Sequence, residues 1–286
     1  MTQMVSASAA GAWQCSTSRQ AFGFQPEISI PPTAIKNAAE DLVIKTGTTL
    51  TVQGTLNMAK GHKITVEAGA TLLVDGGTIT NKCGEVWDGI TVVGQADKRQ
   101  TPAYQGRVLL RNNAVVEYAK NLMTLGRYYD WGYDVATGGG IVQAENSTFR
   151  NNARDVEFMQ YHNKATPAAA LEFANVSYFK NCTFETTEAY RPSSASLKPH
   201  ITAWDVYGVR MEGCVFQNTI PLNAATNAAL HRKGMGIYTE CATYAVDWYC
   251  PNGDCTDPNN NTYGSFQGLE RGIESIYLPS LTPVAS

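Results

Sequence analysis

The sequence predicts an all-β protein: a right-handed parallel β-helix, which is a solenoid, with an irregular N-terminal cap and long inserted loops. One observation is a repeat at intervals of 33, 35 and 32 residues, whose copies are Asn113-Ala-Val-Val-Glu-Tyr, Asn146-Ser-Thr-Phe-Arg-Asn-Asn, Asn181-Cys-Thr-Phe-Glu-Thr and Gly213-Cys-Val-Phe-Gln-Asn. A second is a tighter pair, in which Gly47-Thr-Thr-Leu-Thr-Val-Gln-Gly recurs after 22 residues as Gly69-Ala-Thr-Leu-Leu-Val-Asp-Gly. The third is an apolar–polar alternation with the period of two that is typical of strands. Because one copy cannot bury its own apolar side chains, each must stack on the next.

The chain divides into two segments. Residues 1–41 form the expected cap, because Pro26, Pro31 and Pro32 prevent a long strand, and Thr33 to Asp41 is expected to be a short helix. Residues 42–286 form the expected β-helix domain of about seven to nine coils, less regular from about residue 222. A cap over the first coil would keep its strand edges from pairing with another chain.

Between residues 42 and 94, short strands alternate with glycines at the expected corners, where a positive φ costs glycine nothing. Beyond residue 94 the coils lengthen by insertion. The inserted loops are expected at residues 95–105, 127–139, 162–169 and 188–200. Extra residues on some faces of a solenoid often form its working surface.

One position of the repeat is expected to form an interior stack along the axis. It is occupied by Val116, Phe149, Phe184 and Phe216. Cys182 and Cys214 hold equivalent places in successive copies, so we expect reduced, buried neighbours whose side chains run parallel. Cys250 and Cys255 are instead expected to form a disulfide that closes a small surface loop in an oxidising compartment.

The composition narrows the class of protein. Charged residues make up only 16% of the chain and the net charge is -3, so nothing in it predicts a nucleic-acid partner. No apolar run approaches the roughly 18 residues that cross a membrane, so we expect no membrane insertion. The first residues lack the basic start and apolar core of a secretion signal. Given a composition that favours an extracellular β-rich protein, we expect a mature or excised piece.

A family resemblance rests on three runs of sequence. They are Ile64-Thr-Val-Glu-Ala-Gly-Ala-Thr-Leu-Leu-Val-Asp-Gly-Gly-Thr-Ile-Thr-Asn with Cys83-Gly-Glu-Val-Trp-Asp-Gly-Ile-Thr-Val-Val-Gly, then Gly140-Ile-Val-Gln-Ala-Glu-Asn-Ser-Thr-Phe-Arg-Asn-Asn, then Ser177-Tyr-Phe-Lys-Asn-Cys-Thr-Phe. These resemble the large secreted proteins of Bacteroidetes-type bacteria that carry right-handed parallel β-helix repeats. The resemblance covers about residues 42–220 and implies export by the type IX route to the cell surface or beyond. It carries over no catalytic motif.

Polysaccharide cleavage would need carboxylates at close range. The sequence contains no Asp-Asp pair and no Gly-His-Gly. Asp155 and Glu157 are expected to alternate outward on one strand, with Asp205 and Arg210 further along, so that a lyase or glycosidase site assembled from several coils would use these four residues. The alternative is that all four are solvated outer residues.

Aromatic residues give the more suggestive signal for binding. Tyr128, Tyr129, Trp131 and Tyr133 are dense in one inserted loop, and Trp204 follows on a later coil. Flat aromatic faces suit stacking on sugar rings, and exposed ones mark recognition surfaces. The alternative is that they pack the loops onto the side of the solenoid.

Metal and cofactor signals are weak. Asn252, Asp254 and Asp257 have the oxygen-rich spacing of a calcium loop without the twelve-residue pattern, so calcium is a weak candidate against a plain turn. No cofactor is required. The expected function is therefore non-catalytic adhesion, or binding of a glycan or surface protein. The alternatives are a polysaccharide-active enzyme and a structural subunit of an extracellular assembly that self-associates.

Overall fold

The computed structural model describes residues 27–190, 197–221, 233–251 and 255–277. Within these ranges the protein is all-β, with no α-helix and two short 3₁₀ helices, Val135–Thr137 and Pro258–Asn260. Its strands form three parallel sheets of eight strands each and one antiparallel hairpin. We name the large sheets A, B and C in the order in which the chain reaches them.

The chain visits the sheets in a fixed rotation, A then B then C, and we call one rotation a coil. The first four coils are β1 (Glu27–Ile30), β2 (Ile35–Ala38) and β3 (Leu42–Ile44); β4 (Thr49–Val52), β5 (Thr55–Met58) and β6 (Lys63–Val66); β7 (Thr71–Asp75), β8 (Thr78–Thr80) and β9 (Trp87–Val92); and β10 (Arg107–Arg111), β11 (Val115–Glu117) and β12 (Ala119–Leu125). The hairpin β13 (Arg127–Tyr129) and β14 (Gly132–Asp134) comes next.

The last four coils are β15 (Ile141–Glu145), β16 (Thr148–Arg150) and β17 (Val156–Phe158); β18 (Tyr178–Lys180), β19 (Thr183–Thr186) and β20 (Pro199–Trp204); β21 (Val209–Glu212), β22 (Val215–Asn218) and β23 (Met235–Glu240); and β24 (Tyr244–Asp247), β25 (Ser265–Gln267) and β26 (Arg271–Ile276). Eight strands in each sheet agree with the prediction of seven to nine coils. The arrangement is consistent with a solenoid.

The alternation in the sequence sets which side chains are buried. In β4 and β7 the threonines are half-buried while Leu50, Val52, Leu72 and Val74 are buried. Leu50 pairs in register with Leu72, and Val52 with Val74, so equivalent residues lie one above the other. Burial of each such side chain contributes about 1.5–3 kcal/mol, and the coils are therefore stabilised chiefly by their neighbours.

The predicted interior stack is confirmed. Val116 pairs with Phe149, Phe149 with Phe184, and Phe184 with Phe216. The rings of Phe149 and Phe184 lie 4.5 Å apart and nearly parallel, and those of Phe184 and Phe216 lie 4.6 Å apart. Phe266, which the repeat alignment missed, extends the stack with a ring 5.0 Å from Phe216.

The first residue of each repeat makes the turn from sheet A to sheet B. Asn113, Asn146, Asn181 and Gly213 all have positive φ, which glycine and asparagine tolerate best. The amide of Asn181 also donates to Oδ1 of Asn146 at 2.6 Å. The side chains of Asn146 and Asn181 thus connect the turns of two neighbouring coils.

The residue after this turn is small and buried. Ser147, Cys182 and Cys214 fill this place in three successive coils, and each donates its hydroxyl or thiol to the carbonyl two residues earlier. The amide of Val215 donates to the carbonyl of Cys182, so the two cysteines are neighbours, and both are reduced. The prediction for this pair is confirmed, because each thiol has a backbone partner of its own.

The predicted boundary of the N-terminal cap is wrong. Residues 27–41 belong to the first coil: β1 pairs with β4, and β2 pairs with β5. The short helix predicted for Thr33 to Asp41 is also wrong, because Ile35–Ala38 is a strand and the prolines Pro31 and Pro32 lie in the turn before it. The remainder of the predicted cap, residues 1–26, lies outside the described residues.

Candidate functional site

The long insertions are concentrated at one edge of the molecule, the turn from sheet C to sheet A. Residues 93–106, 126–140 and 159–177 all make this turn, in coils that follow one another. Of the four predicted insertions, the three at 95–105, 127–139 and 162–169 lie here. The fourth, 188–200, lies at the turn from sheet B to sheet C, and its end is already part of β20.

Buried polar side chains join these three loops, which we call the loop platform. The amide of Gln100 donates to the carbonyls of Gly139 and Gly140, each at 3.2 Å, and its Oε1 accepts from the backbone of Val176 at 2.7 Å. The hydroxyl of Tyr161 donates to the carbonyl of Lys98 at 2.8 Å. Because these contacts are buried, they hold the loops in one arrangement.

The predicted aromatic cluster is the hairpin β13–β14, which projects from the loop platform. Trp131 is 73% exposed and Tyr129 44% exposed, and their rings are stacked 5.2 Å apart with an angle of 20° between the planes. The two rings therefore lie face to face, and the stacked pair forms an apolar surface that is exposed to solvent. Contiguous exposed apolar surface is a mark of recognition sites.

Tyr133 anchors the hairpin. Its ring lies 5.6 Å from that of Tyr128, and burial raises the pKa of its hydroxyl. The ring crosses Gly126, where an added Cβ would be only 2.5 Å from it, and the φ of this glycine is +141°. Tyr133 is therefore the member of the predicted cluster that packs, whereas Tyr128, Tyr129 and Trp131 are exposed.

Trp204 lies apart from the hairpin, on the outer face of sheet C. Its half-buried ring is 5.4 Å from that of Tyr238 on the next coil. Met159 lies beside Trp204 on the preceding strand, because the residues before them pair in register. The hydroxyl of Tyr128 donates to the sulfur of Met159 at 3.5 Å. Tyr128 thus links the hairpin to the residue that follows β17.

A groove of about 200 Å³ opens between the loops of the platform. Its lining comprises Ala96, Asp97, Val135, Gln160, Tyr161, His162, Lys164 and Pro167. Val135 directly follows β14, so the base of the hairpin forms one wall of the groove. The lining mixes apolar surface with amide, carboxylate and ammonium groups, which is typical of sites that orient polar ligands.

His162 stands at this groove between two carboxylates. Its Nδ1 lies 3.1 Å from Glu172 and its Nε2 lies 3.4 Å from Asp205. Gln160 donates to the same carboxylate of Asp205 at 2.7 Å. In the described parts of the chain no three His, Cys, Asp or Glu side chains are placed to hold a metal ion. The sequence does not reveal the role of His162, because its partners Glu172 and Asp205 are distant from it in the chain.

The four candidate catalytic residues do not converge, and two of them were placed wrongly. Asp155 and Glu157 are 1% and 4% exposed, so neither is a solvated outer residue, although Glu157 does point outward from its strand. Asp205 lies in the turn beside His162, while Arg210 is exposed on sheet A near Glu212. The predicted site assembled from these residues is therefore not formed.

Asp155 belongs to a buried network beside the phenylalanine stack. Its carboxylate lies 2.5 Å from Nδ1 of His200 and accepts from the amide of Asn152 at 2.8 Å. The ring of His200 is 6.2 Å from those of both Phe184 and Phe216. Asn152 also bonds the backbone of the preceding coil at Ala119. The apolar–polar alternation predicts the wrong side of the strand for Asp155, because Asp155 lies in the turn before β17.

The predicted disulfide and calcium loop fare differently. Cys250 is a free thiol, so the predicted disulfide between Cys250 and Cys255 is wrong. Two backbone hydrogen bonds between Tyr249 and Thr262 already close this loop. The calcium candidates Asn252 and Asp254 lie outside the described residues. Asp257 accepts from the backbone and the side chain of Asn259, each at 2.9 Å, and so begins a 3₁₀ helix.

Comparisons with family models, curated proteins and solved structures found no match to this chain. Among the described residues, no helix has the length and apolar character needed to cross a membrane.

Proposed function

We propose that this chain is a right-handed parallel β-helix of a secreted or cell-surface protein, and that it binds a glycan without cleaving it. The three eight-stranded sheets supply the stiff scaffold, and strand connections between parallel strands are right-handed in nearly all proteins. The resemblance of residues 42–220 to secreted proteins of Bacteroidetes-type bacteria, exported by the type IX route, supports the location.

One observation carries the binding function. The rings of Tyr129 and Trp131 are stacked on each other and exposed, on a hairpin whose base is fixed by Tyr133 and by the loop platform. Sugar rings present flat C–H faces that stack on aromatic rings. Because the two rings already contact each other, little side-chain entropy is lost on binding.

The groove beside the hairpin supplies the polar part of the same site. Gln160, His162 and Asp97 offer donors and acceptors to hydroxyl groups, and they lie where a chain stacked on Trp131 would extend toward Val135. Aromatic stacking gives affinity, while polar groups fix the orientation of the ligand.

The experiment measures binding by calorimetry to a panel of soluble neutral and acidic polysaccharides. We expect the Y129A/W131A variant to bind about 5- to 150-fold more weakly than the wild type, since each stacked ring contributes about 0.5–1.5 kcal/mol. The matched control is Y263A/Y277A, which removes two other exposed rings, on the last coil. Equal binding by the wild type and Y129A/W131A would refute the proposal, as would release of reducing or unsaturated ends from any bound polysaccharide.

A further inference from the structure

Three cationic side chains lie together at the turn into sheet C, in coils four, five and six. The backbone amide of Ala153 donates to the carbonyl of Ala119 at 3.0 Å, and that of Lys198 donates to the carbonyl of Ala153 at 2.8 Å. Lys120 and Arg154 follow directly on these alanines. Since neighbouring parallel strands lie about 4.8 Å apart, the three cations form a compact group, which we call the cationic cluster.

The negative charge around the cationic cluster compensates it only in part. Arg154 pairs with Glu157, and both side chains are almost fully buried. Lys120 and Lys198 are exposed and form no salt bridge with any other described residue. Lys120 also lies opposite the exposed Asp88 of β9, because the residues on either side of the two pair in register. Three cations and two carboxylates leave a local charge of 3 - 2 = +1, on a chain whose net charge is -3.

The surroundings of the cluster contain polar atoms without partners. Nε of Arg154 and Oγ1 of Thr202 are buried and make no hydrogen bond in the described structure. Thr202 pairs in register with Glu157, so it lies on the same outward face of sheet C. Buried polar groups are normally satisfied, so these two atoms mark a region of sheet C in which the protein itself leaves hydrogen bonds unmade.

Electrostatics agree with this geometry. Burial, followed by the positive charges of Arg154 and Lys120, lowers the pKa of Lys198. Burial also lowers the pKa of Arg154, whereas the neighbouring Tyr128 acts in the opposite direction. The first result means that the cations repel one another, and an anion between them would relieve that repulsion. The effect of Tyr128 on the pKa of Arg154 indicates that Tyr128, and therefore the aromatic hairpin, lies close to the cluster.

We propose that Lys120, Arg154 and Lys198 bind the carboxylate or sulfate groups of the glycan, which makes the ligand an acidic polysaccharide. This inference rests on the proposed glycan binding. A chain bound at the hairpin would continue past the exposed Tyr128 toward the exposed Lys120 and Lys198. The anionic groups of the glycan would then replace the missing negative charge.

The test compares the wild type with K120Q/K198Q, which leaves the buried Arg154–Glu157 pair intact. The matched control, K36Q/K82Q, removes two exposed lysines from other coils. Calorimetry is run with polygalacturonate, with dextran sulfate and with neutral dextran at 50 and 300 mM NaCl. We expect the wild type to prefer one or both acidic polymers, and K120Q/K198Q to bind them at least tenfold more weakly. The control should bind all three polymers as the wild type does.

A second readout uses inorganic sulfate alone. We expect it to raise the melting temperature of the wild type above that in sodium chloride of equal ionic strength, and to have no such effect on K120Q/K198Q. Equal affinity of the wild type and K120Q/K198Q for the acidic polymers would overturn the inference, as would equal losses in the control. Tight binding of neutral dextran only would overturn the inference and leave the proposed function standing. Failure of all three polymers, with sulfate still stabilising only the wild type, would refute glycan binding and retain an anion site.

Discussion

Phe184→Ala should be among the most destabilising single changes in this chain. Phe184 is fully buried in the centre of the interior stack, with the rings of Phe149 and Phe216 at 4.5 and 4.6 Å on its two faces. A third ring, Phe179, meets it edge-on at 5.4 Å. Removing its side chain therefore leaves a cavity that aromatic groups border on three sides.

The expected loss can be estimated from these contacts. Truncation of a buried phenylalanine costs about 3–5 kcal/mol, including the cavity. Each aromatic pair adds about 0.5–1.5 kcal/mol beyond the buried area, so the expected loss for Phe184 lies near the upper limit, about 4–5 kcal/mol. Phe266 stands at the end of the stack, is half-buried and has one stacked neighbour. Phe266→Ala should therefore cost about 2–3 kcal/mol.

The assay is guanidinium-induced unfolding of the wild type, Phe184→Ala, Phe266→Ala and Phe184→Leu, which should cost less than Phe184→Ala because it leaves a smaller cavity. Hydrogen exchange resolved by coil is measured in parallel, because repeat proteins can open locally. Phe184→Ala should accelerate exchange in β16, β19 and β22 before it does so in β4 to β8. A loss for Phe184→Ala no greater than that for Phe266→Ala would refute the reasoning from the stack.

Three further predictions test other parts of the structure. Burial raises the pKa of Cys182, so its thiol should resist alkylation at pH 8 in the folded protein while the half-buried Cys250 reacts, as peptide mapping can show. The protonated thiol should stabilise the fold fully below the unfolded pKa of about 8.5, and this contribution should decline as the pH rises above that value. Unfolding measured at several pH values checks the second expectation. Gly126→Ala should displace Tyr133 and weaken glycan binding without lowering the strand content seen by circular dichroism, since the added Cβ would meet this ring at 2.5 Å. Asp155→Asn should lower stability by about 1–3 kcal/mol, because its carboxylate has a buried imidazole partner; an unchanged unfolding midpoint would contradict that assignment.

The sequence predicted the parts of the fold that depend on repetition. Intervals near 33 residues placed Phe149, Phe184 and Phe216 in one column, because an in-register parallel strand puts equivalent residues beside each other. The same logic predicted the reduced neighbours Cys182 and Cys214. What failed was the first coil, whose prolines suggested irregular structure although they occupy a turn between two short strands.

Alternation failed where a strand begins. Val156 and Phe158 point into the core, as the period of two requires, and Glu157 points outward between them. It is nevertheless buried, because it pairs with Arg154 on a covered face of sheet C. Asp155 lies at the turn, where the period no longer holds, and its side chain enters the core beside His200. A single sequence shows the period but not where it stops.

The two parts of the proposed site differ in how far the sequence reveals them. Tyr128 to Tyr133 are contiguous, so their density marks the hairpin directly. Lys120 and Arg154 are 154 - 120 = 34 residues apart, which is one coil by the repeat itself, so a search for like charges at that interval would have paired them. Lys198 follows at 198 - 154 = 44 residues, because the insertion before β20 lengthens its coil. Because of this insertion, the repeat interval does not predict that Lys198 is a neighbour of Arg154. The backbone hydrogen bond from Lys198 to Ala153 shows that it is. In a chain of stacked coils, charged residues that act together are therefore found at the repeat interval plus the length of any loop inserted between them.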